Sequence, residues 1–336
     1  MNLLVIGAAG FIGSEIFLQA KRQGINVVGT IHRTPRKSCY PFDLASDDIL
    51  SVLKDSKLID RLKEGEELYA VAASAYLGHE RSVVRMPEAE RANLSGTQRL
   101  LSTLYNLGVK ILWYSTEQVF SGRDGQAPYT EDSVTSPVLT YGRHKAEIEC
   151  YIREHMPEII IYRLSQNVAP YVEGVHIFND VYNRYKNGER HFHSIEGQVL
   201  SPTDVRDTAH WSIEGLKRNL PGGIYHCASP IGMSRSELVS KFLKAIGDDA
   251  DVDEVPLQFF NFKEPRPLDT RLNTDKIQAA MPDIQFTSME KVIEEFTASL
   301  PRSNMGGGYC GELILRVAVL SFVLMCMKAV KSLCAC

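Results

Sequence analysis

The chain has 336 residues, of which 44% are hydrophobic and 23% are charged, and its formal net charge is −4 at pH 7. This length suffices for one large domain or two interlocked ones, and the mild negative charge gives no attraction toward nucleic acid or an anionic membrane. Three of the seven cysteines lie before residue 300, without metal-ligand spacing, so we predict no metal site and a reduced, cytoplasmic compartment. An apolar run directly follows Met1, which leaves no room for a signal peptide.

The first predicted element is a short strand that runs into a glycine-rich turn. Residues 2–6 are mostly apolar, the motif G-x-x-G-x-x-G follows, and a helical pattern then extends to residue 24. Glycines let the backbone approach a pyrophosphate, and a helix N-terminus favours its negative charge. The motif therefore predicts a dinucleotide site, with a turn that binds nothing as the alternative; its residues are Gly7, Gly10, Phe11, Ile12 and Gly13.

The second predicted strand, 26–31, is followed by His32 and Arg33. NAD-preferring sites usually place a carboxylate here for the ribose hydroxyls, and this chain has none. Arg33, Arg36 and Lys37 instead supply positive charge that suits a 2′-phosphate. NADP(H) is therefore preferred over NAD(H), and a solvated basic loop is the alternative.

Helical and strand patterns alternate along the next part of the chain. A charged helix is predicted over 46–67 with Ser46 as its N-cap, and a second helix over 88–107. Strands are predicted at 68–73, 110–114 and 159–164, and the last is apolar enough for the middle of a parallel sheet. The alternation predicts an α/β protein built on a Rossmann-like, doubly wound parallel sheet.

Strand 110–114 delivers Ser115 and Thr116 to the carboxyl edge of the sheet, where ligands of open α/β sheets bind. Tyr141 and Lys145 follow at a four-residue spacing, which places both on one face of a helix. A neighbouring ammonium lowers the pKa of a phenol from its ordinary value of about 10. We therefore predict Thr116, Tyr141 and Lys145 as the catalytic group, with Ser115 as a substitute for Thr116 and a solvated helix face as the alternative.

These motifs together resemble the extended short-chain dehydrogenase/reductases, and within them the dTDP-4-dehydrorhamnose reductase (RmlD-like) group. The group pattern S-T-D-Y-V-F-x-G is S-T-E-Q-V-F-S-G at 115–122, and further matches are P-Y-x-E at 128–131 and P-T-x-V-x-D at 202–207. The group pattern R-P-x-x-S-x-L is R-P-L-D-T-R-L at 266–272. The resemblance covers about residues 1–300. The regulatory β subunit of methionine adenosyltransferase, which is not catalytic, shares much of this pattern and is the main alternative.

For the cofactor, the resemblance implies contacts beyond the glycine turn. Asp43 and Leu44 match the position that contacts the adenine, although Asp43 also suits the cap of a turn. The small residues Ala72, Ala73 and Ser74 match a loop that lies along the cofactor. Asn93 matches an asparagine that braces the central strand, with an exposed polar residue of a helix as the alternative.

For the substrate, the resemblance implies contacts from five side chains: Ser115, Glu117, Gln166, Gln198 and Arg266. Gln166 stands where the bacterial reductases have a tryptophan that helps to hold the sugar, and Glu117 and Gln118 replace the usual Asp and Tyr. Arg266 suits a nucleotide diphosphate or a sugar hydroxyl, and a surface ion pair is its alternative.

The resemblance implies an NADPH-dependent reductase of a 4-keto-6-deoxy nucleotide sugar, possessing a cofactor domain (1–168 and about 205–227) and a smaller discontinuous α/β substrate lobe (about 169–204 and 228–300). The first alternative is an NADP(H)-binding regulatory subunit that pairs with a methionine adenosyltransferase catalytic subunit. A nucleotide-sugar epimerase or dehydratase with tightly held NAD is a weaker alternative, because no acidic residue of the kind that binds the ribose of NAD follows strand 26–31. A homodimer is one candidate assembly of the enzyme.

Residues 301–336 fall outside the family pattern and form an apolar tail with cysteines. The uncharged run 317–327 has 11 residues, whereas a helix that spans a bilayer needs about 20. The final C-A-C resembles a double-geranylgeranyl signal. We therefore predict an accessory tail of unknown role and rank membrane attachment below it.

Overall fold

A parallel seven-stranded sheet forms the centre of the molecule in a computed structural model, which describes residues 1–32, 36–76, 84–247 and 249–300. Its strands are β1 (Asn2–Ile6), β2 (Asn26–Ile31), β3 (Cys39–Pro41), β4 (Leu68–Ala72), β5 (Lys110–Thr116), β6 (Ile160–Leu164) and β11 (Gly223–Cys227). Their order is β11-β6-β5-β4-β1-β2-β3, and every neighbouring pair is parallel. The predicted Rossmann-like, doubly wound sheet is confirmed.

Helices cover both faces of this sheet because side chains along a strand alternate between the two faces. In β5, Ile111 and Trp113 pack on one face, whereas Leu112 and Tyr114 pack on the other. The helices of the described residues are α1 (Phe11–Arg22), α2 (Ile49–Asp55), α3 (Leu58–Lys63), α4 (Met86–Glu90), α5 (Thr97–Asn106), α6 (Thr140–His155), α7 (Ile177–Lys186), α8 (Val205–Lys217), α9 (Arg235–Ile246), α10 (Asp275–Ala280) and α11 (Met289–Ser299).

Two predicted helices differ from the observed elements. The helix predicted over 46–67 begins later, because Asp48 rather than Ser46 accepts the N–H of Leu50, at 3.0 Å. It also divides at Lys57, whose φ of 61° is left-handed. The helix predicted over 88–107 contains a π-helical turn at Arg91–Gly96.

A second, smaller core lies among short strands and three helices. Phe178, Phe242 and Phe296, from α7, α9 and α11, pack together, and the first two rings stack at 4.5 Å. The short strands are β7 (Asn167–Val168), β8 (His191–Ile195), β9 (Val199–Leu200), β10 (Thr203–Asp204), β12 (Met233–Ser234) and β13 (Asp251–Val255), paired as β10-β7, β12-β9 and β13-β8. This core contains parts of both segments that were predicted as the substrate lobe.

Residues 1–300 form one compact unit, so the division into a cofactor domain and a substrate lobe stays a prediction. Ile277 and Met281, which were assigned to the lobe, pack in the core beneath the large sheet. Among the described helices, none combines the length and the apolar character needed to cross a bilayer. The tail interpretation falls on residues 301–336, which lie outside the described residues.

Candidate active site

A cleft of 250 Å³ opens where the strands of the large sheet end, and it brings the two sequence motifs together. The predicted residues along its walls are Phe11, Ile12, Ala72, Ala73, Ser74, Ser115, Thr116, Glu117, Tyr141, Lys145 and Gln166. Three larger cavities among the described residues, of 350, 380 and 470 Å³, contain none of these predicted residues. We therefore assign the smaller cleft as the candidate active site, because it contains the side chains that can carry out chemistry.

The glycine turn is packed so closely that two of its glycines have no space for a side chain. Gly7 has a φ of +89°, and a Cβ there would lie 2.7 Å from the Ser74 hydroxyl oxygen. A Cβ on Gly13 would lie 2.2 Å from the carbonyl oxygen of Gly7. Helix α1 begins after Gly10, which offers no side-chain cap to the free N–H groups of the first turn. Such a turn fits a pyrophosphate, because backbone N–H groups and the helix dipole both favour an anion.

The residues predicted for the adenosine end lie beyond the cleft walls. His32 is exposed, with Nε2 3.7 Å from Oδ2 of Asp43, and the other oxygen of Asp43 accepts the N–H of Ala45 at 2.9 Å. Asp43 therefore caps its own turn, which was the alternative reading of this residue. Leu44 is buried in the core. Arg33 lies outside the described residues.

Asn93 braces the loop that follows β4. Its side chain is 4% exposed, accepts the N–H of Tyr76 at 2.8 Å and donates to the carbonyl oxygen of Tyr76 at 3.1 Å. The reading of Asn93 as an exposed polar residue is therefore wrong. By holding Tyr76, it steadies the loop that carries Ser74 beside the glycine turn.

The three predicted catalytic side chains share the cleft. Lys145 Nζ donates to the carbonyl oxygen of Tyr114 at 2.5 Å and lies 4.3 Å from the centre of the Trp113 ring. It is 5.8 Å from the centre of the Tyr141 ring. Thr116 Oγ1 accepts the N–H of Gln118 at 3.3 Å. Lys145 is thus held by the strand beneath it while it faces the phenol.

Burial dominates the titration of the groups in the cleft. It raises the pKa of Tyr141, and the charge of Glu117 raises that pKa further, so the net shift is upward and the predicted net fall is wrong. Burial lowers the pKa of Lys145 to about 7, against an opposing effect of Glu149. It raises the pKa of Glu117 to about 7. Tyr141 is therefore protonated at neutral pH, the state that a proton donor requires.

The raised pKa of Glu117 predicts a pH-dependent stability. A carboxyl whose pKa is higher in the folded state than in the unfolded chain stabilises the fold fully when the pH is below its pKa in the unfolded chain. For Glu117 this stabilisation is lost as the pH rises through about 7. Glu117→Gln removes this dependence. We therefore compare the free energy of unfolding of the variant with that of wild type. The difference, variant minus wild type, is expected to be about 3 kcal/mol larger at about pH 8 than at about pH 4.5, which means that the variant is relatively more stable at the higher pH. Urea denaturation at both pH values measures this, and an equal difference at both would contradict it.

A buried ionic network lies beneath helix α6. Arg163, on β6, donates from Nε and Nη2 to the two oxygens of Glu149, on α6, at 3.0 and 2.7 Å. These side chains are 2% and 3% exposed. Ser115 donates its hydroxyl proton to Glu149. The Ser115 hydroxyl is thus engaged by a buried carboxylate, whereas the hydroxyl of Thr116, at the wall of the cleft, donates to Oε2 of Glu117 at 3.4 Å.

Two further substrate predictions fall on residues beside the cleft rather than on its walls. Gln198 Nε2 donates to the carbonyl oxygen of Pro267 at 3.2 Å. Arg266 is 7% exposed, and its guanidinium lies 4.0 Å from the centre of the Phe262 ring. Arg266 is therefore mostly buried. Gln166 lines the cleft and donates from Nε2 to the carbonyl oxygen of Asn167 at 3.2 Å.

Sequence reasoning missed Glu149, Arg163 and Glu264, although two of them left a signal. Arg163 is a charged residue inside an otherwise apolar strand, and Glu149 follows Lys145 by one helical turn. A buried charge in such places requires a partner. Glu264, whose contacts with α6 are described below, lies in a loop and gives no comparable signal.

The parallel sheet, the closely packed glycine turn and the Thr, Tyr and Lys side chains in one cleft together define an NAD(P)-dependent oxidoreductase of the extended short-chain dehydrogenase/reductase type. The model of the RmlD substrate binding domain family matches residues 1–300. The chain belongs to this family, and the resemblance found in its sequence is confirmed.

The names of several similar proteins describe enzymes that act on nucleotide sugars. dTDP-glucose 4,6-dehydratase of Streptomyces antibioticus is 28% identical over 273 residues, which cover 75% of this chain and 79% of the relative. dTDP-4-dehydrorhamnose reductase of Sinorhizobium fredii is 25% identical over 289 residues, covering 83% and 90%. The crystal structure of dTDP-4-dehydrorhamnose reductase from Bacillus anthracis, in complex with NADP, has a TM-score of 0.73 at 21% identity and covers 89% of this chain and 99% of its own.

Proposed function

We propose that this protein is an NADPH-dependent reductase of a 4-keto-6-deoxy nucleotide sugar, with a reaction like that of dTDP-4-dehydrorhamnose reductase. The observation that carries the proposal is the shared cleft, which Thr116, Tyr141 and Lys145 line together with Phe11 and Ile12 of the glycine motif. The reductase among the relatives supports the substrate class. The reduced cytoplasm expected from the cysteine pattern is the proposed compartment.

NADPH, when bound, supplies a hydride to the ketone carbon. The backbone N–H groups of the glycine turn bind its pyrophosphate, and Ala72 to Ser74 leave room beside it. Tyr141 gives its proton to the ketone oxygen, which becomes the hydroxyl of the product, and Thr116 donates a hydrogen bond to that oxygen. The Lys145 ammonium stabilises the tyrosinate that results, because an opposite charge within a few ångströms favours an ionised phenol.

The preference for NADP(H) rests on Arg36 together with Arg33 and Lys37. Arg36 Nη1 donates to the carbonyl oxygen of Ala8 at 2.6 Å, and its guanidinium lies 4.8 Å from the centre of the Phe17 ring. A cation is therefore held at the edge of the glycine turn, where it suits the 2′-phosphate of NADPH. His32 and Asp43 lie at the same end of the sheet.

Arg36→Ala is expected to raise the KM for NADPH about tenfold while the KM for NADH stays within about twofold, because one charge-assisted hydrogen bond to phosphate is lost. Steady-state kinetics with both cofactors measure the change. Lys63→Ala removes an exposed cation whose partner is Asp60, and it is the matched control. An equal rise for both cofactors would assign Arg36 to the turn rather than to the phosphate.

The proposed function is tested by mixing the purified full chain with NADPH and a dTDP-4-keto-6-deoxy-hexulose, and by following the loss of nicotinamide absorbance. Consumption of NADPH that depends on the sugar supports the proposal. No consumption with dTDP or UDP keto sugars would reject it. Co-purification with a methionine adenosyltransferase catalytic subunit would then favour the regulatory subunit, and sugar turnover without net loss of NADPH would favour an epimerase or dehydratase.

A further inference from the structure

The first turn of the catalytic helix α6 is capped from a distant loop. Leu139 occupies the N-cap position, and its side chain makes no capping hydrogen bond. Oε1 of Glu264 instead accepts the N–H of Thr140 at 2.9 Å, the hydroxyl of Thr140 at 2.6 Å and Nη2 of Arg143 at 2.8 Å. A carboxylate at this position satisfies a helix N–H that has no partner within the helix, and it also favours the helix dipole.

Glu264 is itself held by contacts on both sides of its loop. Arg266 Nη1 donates to the carbonyl oxygen of Glu264 at 3.2 Å, and Arg123 Nη2 donates to the carbonyl oxygen of Arg266 at 2.7 Å. The N–H of Leu268 donates to the carbonyl oxygen of Ser121 at 3.2 Å. The side chain of Glu264 is 11% exposed, so little water competes for its oxygens. The cap is therefore built on a braced loop rather than on a free side chain.

We propose that Glu264 is a positioning residue for Tyr141, an inference that rests on the proposed function. Thr140 directly precedes Tyr141, so the three hydrogen bonds to Glu264 set the orientation of the turn from which the phenol projects. A displacement of about 1 Å of a reacting group costs up to about 100-fold in rate.

Kinetics of three variants test the inference. Glu264→Ala is expected to lower kcat about tenfold while the KM for NADPH stays within about twofold, because the phenol is misplaced and the cofactor cradle is intact. Glu264→Gln is expected to fall between wild type and Glu264→Ala, because the amide oxygen still accepts from Thr140 without the charge that pairs with Arg143. Glu290→Ala removes an exposed carboxylate paired with Lys241, and it is the matched control with unchanged kcat.

Two further measurements separate positioning from general stability. In Glu264→Ala, amide exchange over residues 140–143 is expected to be faster, whereas the rest of α6 and the Glu290→Ala control stay unchanged. Thr140→Val removes the hydroxyl that donates to Glu264 and that accepts from Nη2 of Arg143 at 2.6 Å. Its effect on kcat is expected to be smaller in the Glu264→Ala background, since both changes break the contact between Thr140 and Glu264.

Each negative outcome has its own meaning. Wild-type turnover together with an unchanged kcat in Glu264→Ala would overturn the positioning role and leave the proposed function standing. Unchanged amide exchange over residues 140–143, or additive effects of the two substitutions, would also overturn it. A wild-type chain that consumes no NADPH with any keto sugar would reject the proposed function, and the positioning role would fail with it.

Discussion

Tyr141→Phe is expected to reduce kcat about 1,000-fold, because the ring remains while the proton donor is lost, and general acid catalysis contributes about 10²–10⁴-fold. NADPH absorbance with the keto sugar measures the loss. The affinity for NADPH, followed by its fluorescence, is expected to stay within about threefold, since the glycine turn is unchanged. Burial raises the pKa of Tyr141, so the wild-type donor is protonated at neutral pH.

Tyr151→Phe is the matched control for this substitution. Its hydroxyl lies on the same helix and contacts the hydroxyl of Ser102 at 3.1 Å, away from the cleft, so kcat is expected to be unchanged. A Tyr141→Phe variant that keeps more than about a tenth of wild-type kcat would contradict the assignment of the donor. Glu117 would then be the next candidate, because burial raises its pKa to about 7 and it lines the same cleft.

Arg163→Ala is expected to lower the free energy of unfolding by about 3–5 kcal/mol, because it leaves Glu149 as a buried carboxylate without its bidentate partner. Urea denaturation monitored by circular dichroism measures this change. Arg61→Ala breaks an exposed ion pair with Glu66, and as the control it is expected to cost less than about 1 kcal/mol. A similarly small loss in Arg163→Ala would show that water reaches Glu149.

The double substitution Glu149→Leu with Arg163→Met separates the effect of the ion pair on the stability of the fold from its effect on the pKa of Lys145. Replacing a buried ion pair by apolar side chains of similar volume is often neutral or stabilising, so the unfolding free energy is expected to return to within about 1 kcal/mol of wild type. The pKa of Lys145, which Glu149 holds up against burial, is expected to fall. The alkaline limb of the pH–rate profile is therefore expected to move to lower pH in a fully folded protein.

Much of the architecture was predictable, because local patterns determine it. The apolar strand, the glycine spacing and the helix after it define the cofactor turn at Gly7 to Gly13, and the four-residue spacing defines the face shared by Tyr141 and Lys145. Such patterns are read within a few turns of chain. The errors in the helices at 46–67 and 88–107 arose where a cap or a packing contact outweighed helical periodicity, as at Asp48 and in the π-helical turn Arg91–Gly96.

By itself, the sequence determined the strand–turn–helix that begins the cofactor site, the Thr-Tyr-Lys set and the family. Only the tertiary structure decided how these groups titrate and what holds them: the pKa of Tyr141 rises where the spacing predicted a fall, Ser115 donates to Glu149, and Glu264 caps the catalytic helix. The physical reason is that burial and long-range partners control these properties. Both depend on which distant segments meet in the fold, and no local pattern encodes that.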